Sequence, residues 1–204
     1  MTGRFRCERA GAVHAEGLLA LFEAAGSGCF CNYWHFEGDK NAWLERCYIK
    51  PEENRAALVE RLASSELCGV VALADETTCG WLKLTRAAAV PRLYDQRVYR
   101  NLPCFQPSPE SRENVFAVGC CYVAETMRGQ GVARELLKAA TVVARLAGAS
   151  ALEAFPRALP DGQDSAERLR PDEIWMGPES LFLQAGFIQV SDFRPYPVLR
   201  LHLR

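Results

Sequence analysis

The run Val115–Val123 (VFAVGCCYV) is apolar almost without interruption, which predicts a strand covered on both faces rather than a half-solvated one. A short polar break follows. Apolar residues then return at Val132, Leu136, Ala140, Val143 and Ala147, the spacing of one helical face packed on a sheet. Upstream, residues 13–25 carry Val13, Leu18, Leu21, Phe22 and Ala25 at helical spacing, and Gly26-Ser27-Gly28 stops them. Residues 5–8 read as a short first strand, and residues 43–47 as the continuation of a helix. A further helix starts at Pro51, with Glu52 and Glu53 in its first turn, where carboxylates favour the helix dipole.

Residues 67–74 and 78–84 predict two strands joined by a turn at Asp75-Glu76-Thr77, and Gly80 inside the second marks a bulge or a close backbone approach. Residues 151–155 (ALEAF), 187–190 and 197–203 complete the strands, with a short helix over 178–184. Two stretches break the pattern. Residues 86–114 hold four prolines and five arginines (Arg86, Arg92, Arg97, Arg100 and Arg112), with a short helix over 91–99, and residues 156–177 are rich in Asp, Pro and Gly. The order is strand, helices, three strands, helix, strand, helix, two strands: an α/β chain with a mixed sheet. The expectation is one domain over residues 1–204 with insertions at about 86–114 and 156–177.

Composition narrows the field. An apolar share of 49% with 24% charged residues is that of an ordinary globular protein, and a net charge of −1 gives no basic excess for nucleic acid. No apolar run reaches the ~20 residues of a membrane-spanning helix, and residues 1–11 lack the apolar core of a secretory signal. A cytoplasmic protein with no membrane partner is expected. Nine cysteines, an odd number, then read as reduced thiols, most of them small buried side chains. Cys29-x-Cys31 and Cys120-Cys121 are the close groupings. Neither has C-x-x-C spacing and there are three histidines, so no metal site is expected.

The break between strand and helix is the segment Arg128-Gly129-Gln130-Gly131-Val132-Ala133. Glycines there let an anion approach backbone N–H groups at the positive end of a helix. It has neither the third glycine of a dinucleotide fingerprint nor the G-K-[ST] of a Walker loop. It resembles the R/Q-x-x-G-x-G/A signature of the GCN5-related N-acetyltransferases, the GNAT superfamily. Phe182-Leu183-Gln184-Ala185-Gly186-Phe187 resembles the Y-x-x-x-G-F that closes the same core. Cys29 to Trp34, Glu153 to Pro156 and Gly186-Phe187 also resemble an uncharacterised bacterial subgroup with an early C-x-C-x-Y-W run.

The resemblance implies a mixed, mostly antiparallel sheet with a splayed strand pair, flanked by helices. It implies acetyl-CoA as co-substrate, its diphosphate on Arg128, Gly129, Gln130, Gly131, Val132 and Ala133, and its pantetheine arm along Cys121, Tyr122 and Val123 between the splayed strands. A backbone N–H near Cys121 to Val123 would then stabilise the thioester oxyanion. The implied acceptor is a small-molecule amine or peptide, and the state of assembly, a homodimer included, is open.

One departure bears on mechanism. Where many relatives carry a tyrosine acid this chain has Phe182, which can pack beside the cofactor sulfur but donates no proton. Residues 115–124 contain no acid, so Glu153 on the next strand is the candidate base if it points into the splay. Tyr33-Trp34-His35-Phe36 sets four rings in succession near the expected acceptor site; there Tyr33 can carry a proton and His35 has the reference pKa of a base near neutrality. Cys29 and Cys31 can take an acyl group if a thiolate is stabilised. The function expected is transfer of an acetyl group from coenzyme A to an amine within a ternary complex. The alternative is a non-catalytic CoA- or anion-binding module whose 86–114 arginines meet an anionic partner. Thiol-based metal or redox sensing is a third, weaker idea.

Overall fold

The structure is a computed structural model that describes residues 5–64, 66–105, 112–158 and 174–203. Seven strands form one sheet: β1 (Arg6–Arg9), β2 (Gly69–Ala74), β3 (Thr77–Arg86), β4 (Val115–Val123), β5 (Ala151–Ala154), β6 (Ile188–Ser191) and β7 (Val198–His202). Their spatial order is β1-β2-β3-β4-β5-β7-β6, and β4 with β5 is the one parallel pair among them. The helices are α1 (Ala15–Ala24), α2 (Lys40–Tyr48), α3 (Pro51–Ala63), α4 (Pro91–Tyr94), α5 (Val132–Leu146) and α6 (Glu179–Gln184). The parallel pair follows from the long α5 crossover, which joins β4 to β5 over one face of the sheet.

That face is the main core. Val132, Leu136, Leu137, Ala140 and Ala144 of α5 are buried against Val70, Ala72, Leu82, Leu84, Phe116 and Val118. Val143 and Ala147 flank this stripe and are only partly buried, so the helix is turned slightly from the predicted face toward Leu137 and Ala144. The opposite face is covered in two parts. Leu18, Leu19, Leu21 and Phe22 of α1, with Leu58 and Leu62 of α3, pack over Val71, Leu73 and Trp81. The insertion with α4 packs over Ala117, Phe155 and Val198. Val13, read as part of the first helical stripe, is 88% exposed in a single 3-10 turn ahead of α1.

Two irregularities shape the sheet. The β2–β3 register slips at Cys79, next to Gly80, where a Cβ would stand 3.0 Å from both Leu136 Cδ1 and Val132 Cγ1. Gly80 thus supplies both the bulge and the close approach, and lets the start of α5 seat tightly on β3. The β3–β4 register slips between Leu82↔Cys121 and Leu84↔Val118, so Lys83 faces Gly119 and Cys120 together. This second bulge reverses the parity of β4. Phe116 and Val118 point to the α5 face before it, Cys121 and Val123 after it. The turn at Asp75-Glu76 is left-handed at both residues (φ 45° and 67°), as a two-residue hairpin requires.

Candidate functional site

Past the second bulge β4 leaves its parallel neighbour. Pairing with β5 ends at Val118↔Ala154, and β4 runs on to Val123. Successive amides in a strand point to opposite sides. The Ala124 N–H donates to Cys79 O of β3 at 2.9 Å, so the Cys121 and Val123 amides point away from β3, into the gap. There the Cys121 N–H donates to Trp175 O at 2.8 Å. Residues 174–177 therefore line the gap, with Gly177 (φ 87°) lying between Phe182 and Cys121.

The chain leaves β4 through a 3-10 turn at Glu125–Met127 and enters α5 through Gly129 (φ 72°) and Gly131 (φ 87°). L-residues with a side chain adopt this conformation at a cost of about 1–2 kcal/mol. A Cβ at either glycine would meet nothing within 4 Å, so both leave open space above the backbone. The first carbonyl used by α5 is Gly131 O, which accepts from Arg134 and Glu135. The Val132 and Ala133 amides therefore have no acceptor within the helix and stand at its positive end, and no side chain caps it. Arg128 braces the turn: its Nε donates to Val123 O at 3.1 Å and its guanidinium lies 5.8 Å from the Tyr122 ring centre. Gln130 Nε2 donates to Thr126 O at 2.9 Å.

Phe182 is fully buried in the α5-side core and packs edge-on against Phe187 at 5.3 Å. Gly177, close to its ring and to Cys121, puts it at the edge of the gap.

The aromatic segment turns into a 3-10 turn at Tyr33–His35. Tyr33 and Trp34 both pack on Trp175, the latter stacked at 5.5 Å and 25°. Arg92 from the insertion lies 4.8 Å over the Tyr33 ring and donates to Phe36 O and Gly38 O. A cavity of about 310 Å3 opens beside these rings, lined by Tyr33, Trp34, Tyr99, Phe155, Trp175 and Met176 among others. His35 faces away from it, into a second cavity of about 290 Å3 with Asn32, Arg46 and Arg61. Burial, with the nearby Lys83 and Arg61 charges, pushes the His35 imidazole down to about 3, so it is neutral at physiological pH. Its Nε2 is buried without a hydrogen-bond partner among the described residues.

Glu153 does not point into the gap. It is fully buried on the face opposite α5, where Arg112 reaches it at 2.7 Å, Arg200 at 2.7 Å, and Tyr94 OH donates to it at 2.8 Å. Its oxygens are taken up by two guanidiniums and a phenol, so the expected base is instead the anchor that holds Tyr94 and Arg112 of the insertion to the sheet. The same contacts occupy Arg112, as those of Tyr33 and Phe36 occupy Arg92, which removes two of the five arginines from the set available to an anionic partner.

The predicted cofactor residues are thus brought together along one line from the gap to the α5 terminus, and Tyr33 borders it through Trp175. His35 and Glu153 lie elsewhere. Sequence reasoning missed Trp175, Arg61, Lys83 and Trp81. Of these Lys83 carried a signal: it is a lone charge within the apolar run Gly80 to Leu84 and is 2% exposed.

The description of the acetyltransferase (GNAT) family matches residues 53–167. No curated protein matches the chain. Solved structures share its fold. PaiA N-acetyltransferase of Thermoplasma acidophilum in complex with coenzyme A is 11% identical, with a TM-score of 0.55 over 98% of this chain and 99% of that one. YncA of Salmonella typhimurium with its cofactor acetyl-CoA is 12% identical, with a TM-score of 0.54 over 99% and 95%. The GNAT-family acetyltransferase of Streptococcus pneumoniae is 13% identical, with a TM-score of 0.55 over 98% and 99%. Because the matched region spans more than half of the chain and contains β4, the glycine turn and α5, this protein belongs to the acetyltransferase (GNAT) family.

Proposed function

We propose that the protein transfers an acetyl group from acetyl-CoA to the amine of a small-molecule or peptide acceptor, directly and within a ternary complex. One observation carries this: the left-handed glycines leave space over two amides that have no acceptor among the described residues, in line with a strand edge that faces a gap. The diphosphate binds the amides of Gly129 to Ala133, and Arg128 holds that turn in shape rather than serving as the main anion contact. The pantetheine arm follows Cys121 to Val123. The thioester oxygen takes the Cys121 N–H, a donor of the kind worth ~3 kcal/mol of barrier, and Trp175 O gives it up. The aromatic cavity beside Trp175 receives the acceptor.

Phe182 cannot protonate the departing thiolate. Tyr33, on the cavity wall with its ring packed edge-on against Trp175, is the proton carrier we assign. His35 opens to the other cavity, and with its imidazole pushed down to about 3 it is too weak a base to take the acceptor's proton near neutrality.

The test is acetyl-CoA binding by calorimetry together with thiol release over an amine panel, wild type against Gly131→Asp. The expected result is saturable binding and acceptor-dependent thiol release, both lost in the variant because its carboxylate fills the anion's place. Binding that survives the substitution overturns the site. The second reading, a CoA-binding module, is favoured by the phenylalanine at 182; it predicts binding with no thiol release for any amine.

A further inference from the structure

Lys83 is buried at the second bulge, where its stem runs along β4 and a Cβ at Gly119 would lie 3.0 Å from its Cδ. Among the described residues no carboxylate pairs with it. The groups whose charge reaches its ammonium are the thiols of Cys31, Cys68 and Cys120 and the guanidinium of Arg61. Burial holds the Lys83 ammonium below the usual lysine range, and among these neighbours a thiolate is the anion that favours its charged form. Cys31 is placed to supply it. It is 5% exposed, and both it and Phe30 are left-handed (φ 59° and 41°), a conformation that costs energy and turns its sulfur inward. That sulfur accepts from Trp81 Nε1 at 3.1 Å, the fully buried indole having turned its N–H to it. Cys120 of β4 packs against the same cluster as Cys31 and Trp81. Burial opposes the Cys31 anion, but Cys120, Lys83, Trp81 and Arg61 together hold it below the usual thiol range, while the same contact raises Cys120.

We infer that Cys31 and Cys120 form a peroxide-reactive thiol pair, with Cys31 as the thiolate nucleophile, Lys83 as its counter-ion and Cys120 as the resolving thiol. The cavity bordered by Asn32, His35 and Arg61 lies beside the residue that follows Cys31 and is the route we assign to a small neutral oxidant. Its thiolate attacks one peroxide oxygen; the O–O bond breaks, and hydroxide leaves and takes a proton to become water. The Cys120 sulfur then attacks the sulfenic sulfur of Cys31. An S–S bond forms, the S–O bond breaks, and the second oxygen leaves as water with the proton from Cys120. Two thiols are oxidised and one hydrogen peroxide is reduced to two waters. The product ties the α1–α2 connection to the bulge and removes the anion that balances Lys83. The inference stands apart from acyl transfer and is tested without it.

The experiment treats the reduced full-length protein with hydrogen peroxide at neutral pH and maps thiols by peptide mass spectrometry. The expected result is loss of two hydrogens in mass, a Cys31–Cys120 cross-linked peptide formed before Cys47 or Cys104 reacts, and full reversal by dithiothreitol. Cys120→Ser should leave Cys31 as a sulfenic acid that dimedone traps. Lys83→Met should slow Cys31 oxidation about tenfold or more, since thiolate content falls tenfold for each unit the pKa rises. Independently of any variant, ultraviolet titration of the wild type should find one thiolate already present at neutral pH. Absence of the cross-link, or an unchanged rate in Lys83→Met, overturns the inference.

Discussion

Glu153 and His35 illustrate how little a residue's type fixes its role. The Glu153 carboxylate carries two guanidiniums and a phenol at the junction of β5, β7 and the 86–114 insertion. Glu153→Gln leaves Arg112 and Arg200 charged, part-buried and without their anion, so it should cost about 3–5 kcal/mol in denaturant unfolding while leaving the CoA dissociation constant unchanged. His35 is the reverse case, a group kept neutral by its surroundings. Its folded pKa of about 3 lies below the usual 6.5, so the unfolded chain takes up the proton first. Stability should therefore fall as the pH drops from about 6.5 toward 3, and His35→Gln should flatten that part of a thermal-melt-against-pH curve. An unchanged slope would mean the ring is solvated.

At the scale of elements, the proposed anion-binding end of α5 depends on how closely the helix meets β3. Gly80 makes that contact: Val132 and Leu136 occupy the space a side chain would need. Gly80→Ala should cost about 1–3 kcal/mol by overpacking and, because Val132 opens the helix, should also weaken CoA binding in calorimetry. An effect on stability alone would separate the helix seat from the site. Most of these elements were legible in the sequence. The unbroken apolar run gave β4, the 3.6-residue spacing gave α5, and the glycines between them gave the turn. The second bulge was not legible, because VFAVGCCYV is apolar on both faces and no alternation marks where its parity reverses. Nor was the use of Glu153, since its partners Tyr94, Arg112 and Arg200 are 59, 41 and 47 residues away in the chain.

Over the whole molecule, the proposed donor and acceptor sides meet at Trp175. Its carbonyl holds the Cys121 amide while its ring stacks on Trp34 in the cavity wall. Acetyl-CoA that claims this amide must shift the indole, so its binding should change tryptophan fluorescence. Trp175→Ala should speed CoA association severalfold in stopped flow and raise the acceptor KM; an unaltered association rate would mean that the two sides are independent. This coupling was not legible at the level of the residue: residues 156–177 read as a loop that could border the cleft, but nothing in their composition marks Trp175.

The opposition of Lys83 to both Gly119 and Cys120 has a consequence for how such a molecule can vary. Removing one of those two peptide units would iron the ladder flat and draw β4 back alongside its parallel neighbour. The side chains beyond would then exchange sides, with Cys121 and Val123 carried off the α5 face and Tyr122 driven into it. A single extra peptide unit is what keeps a doorway in an otherwise continuous wall, and length at this spot should tolerate change far less than residue identity.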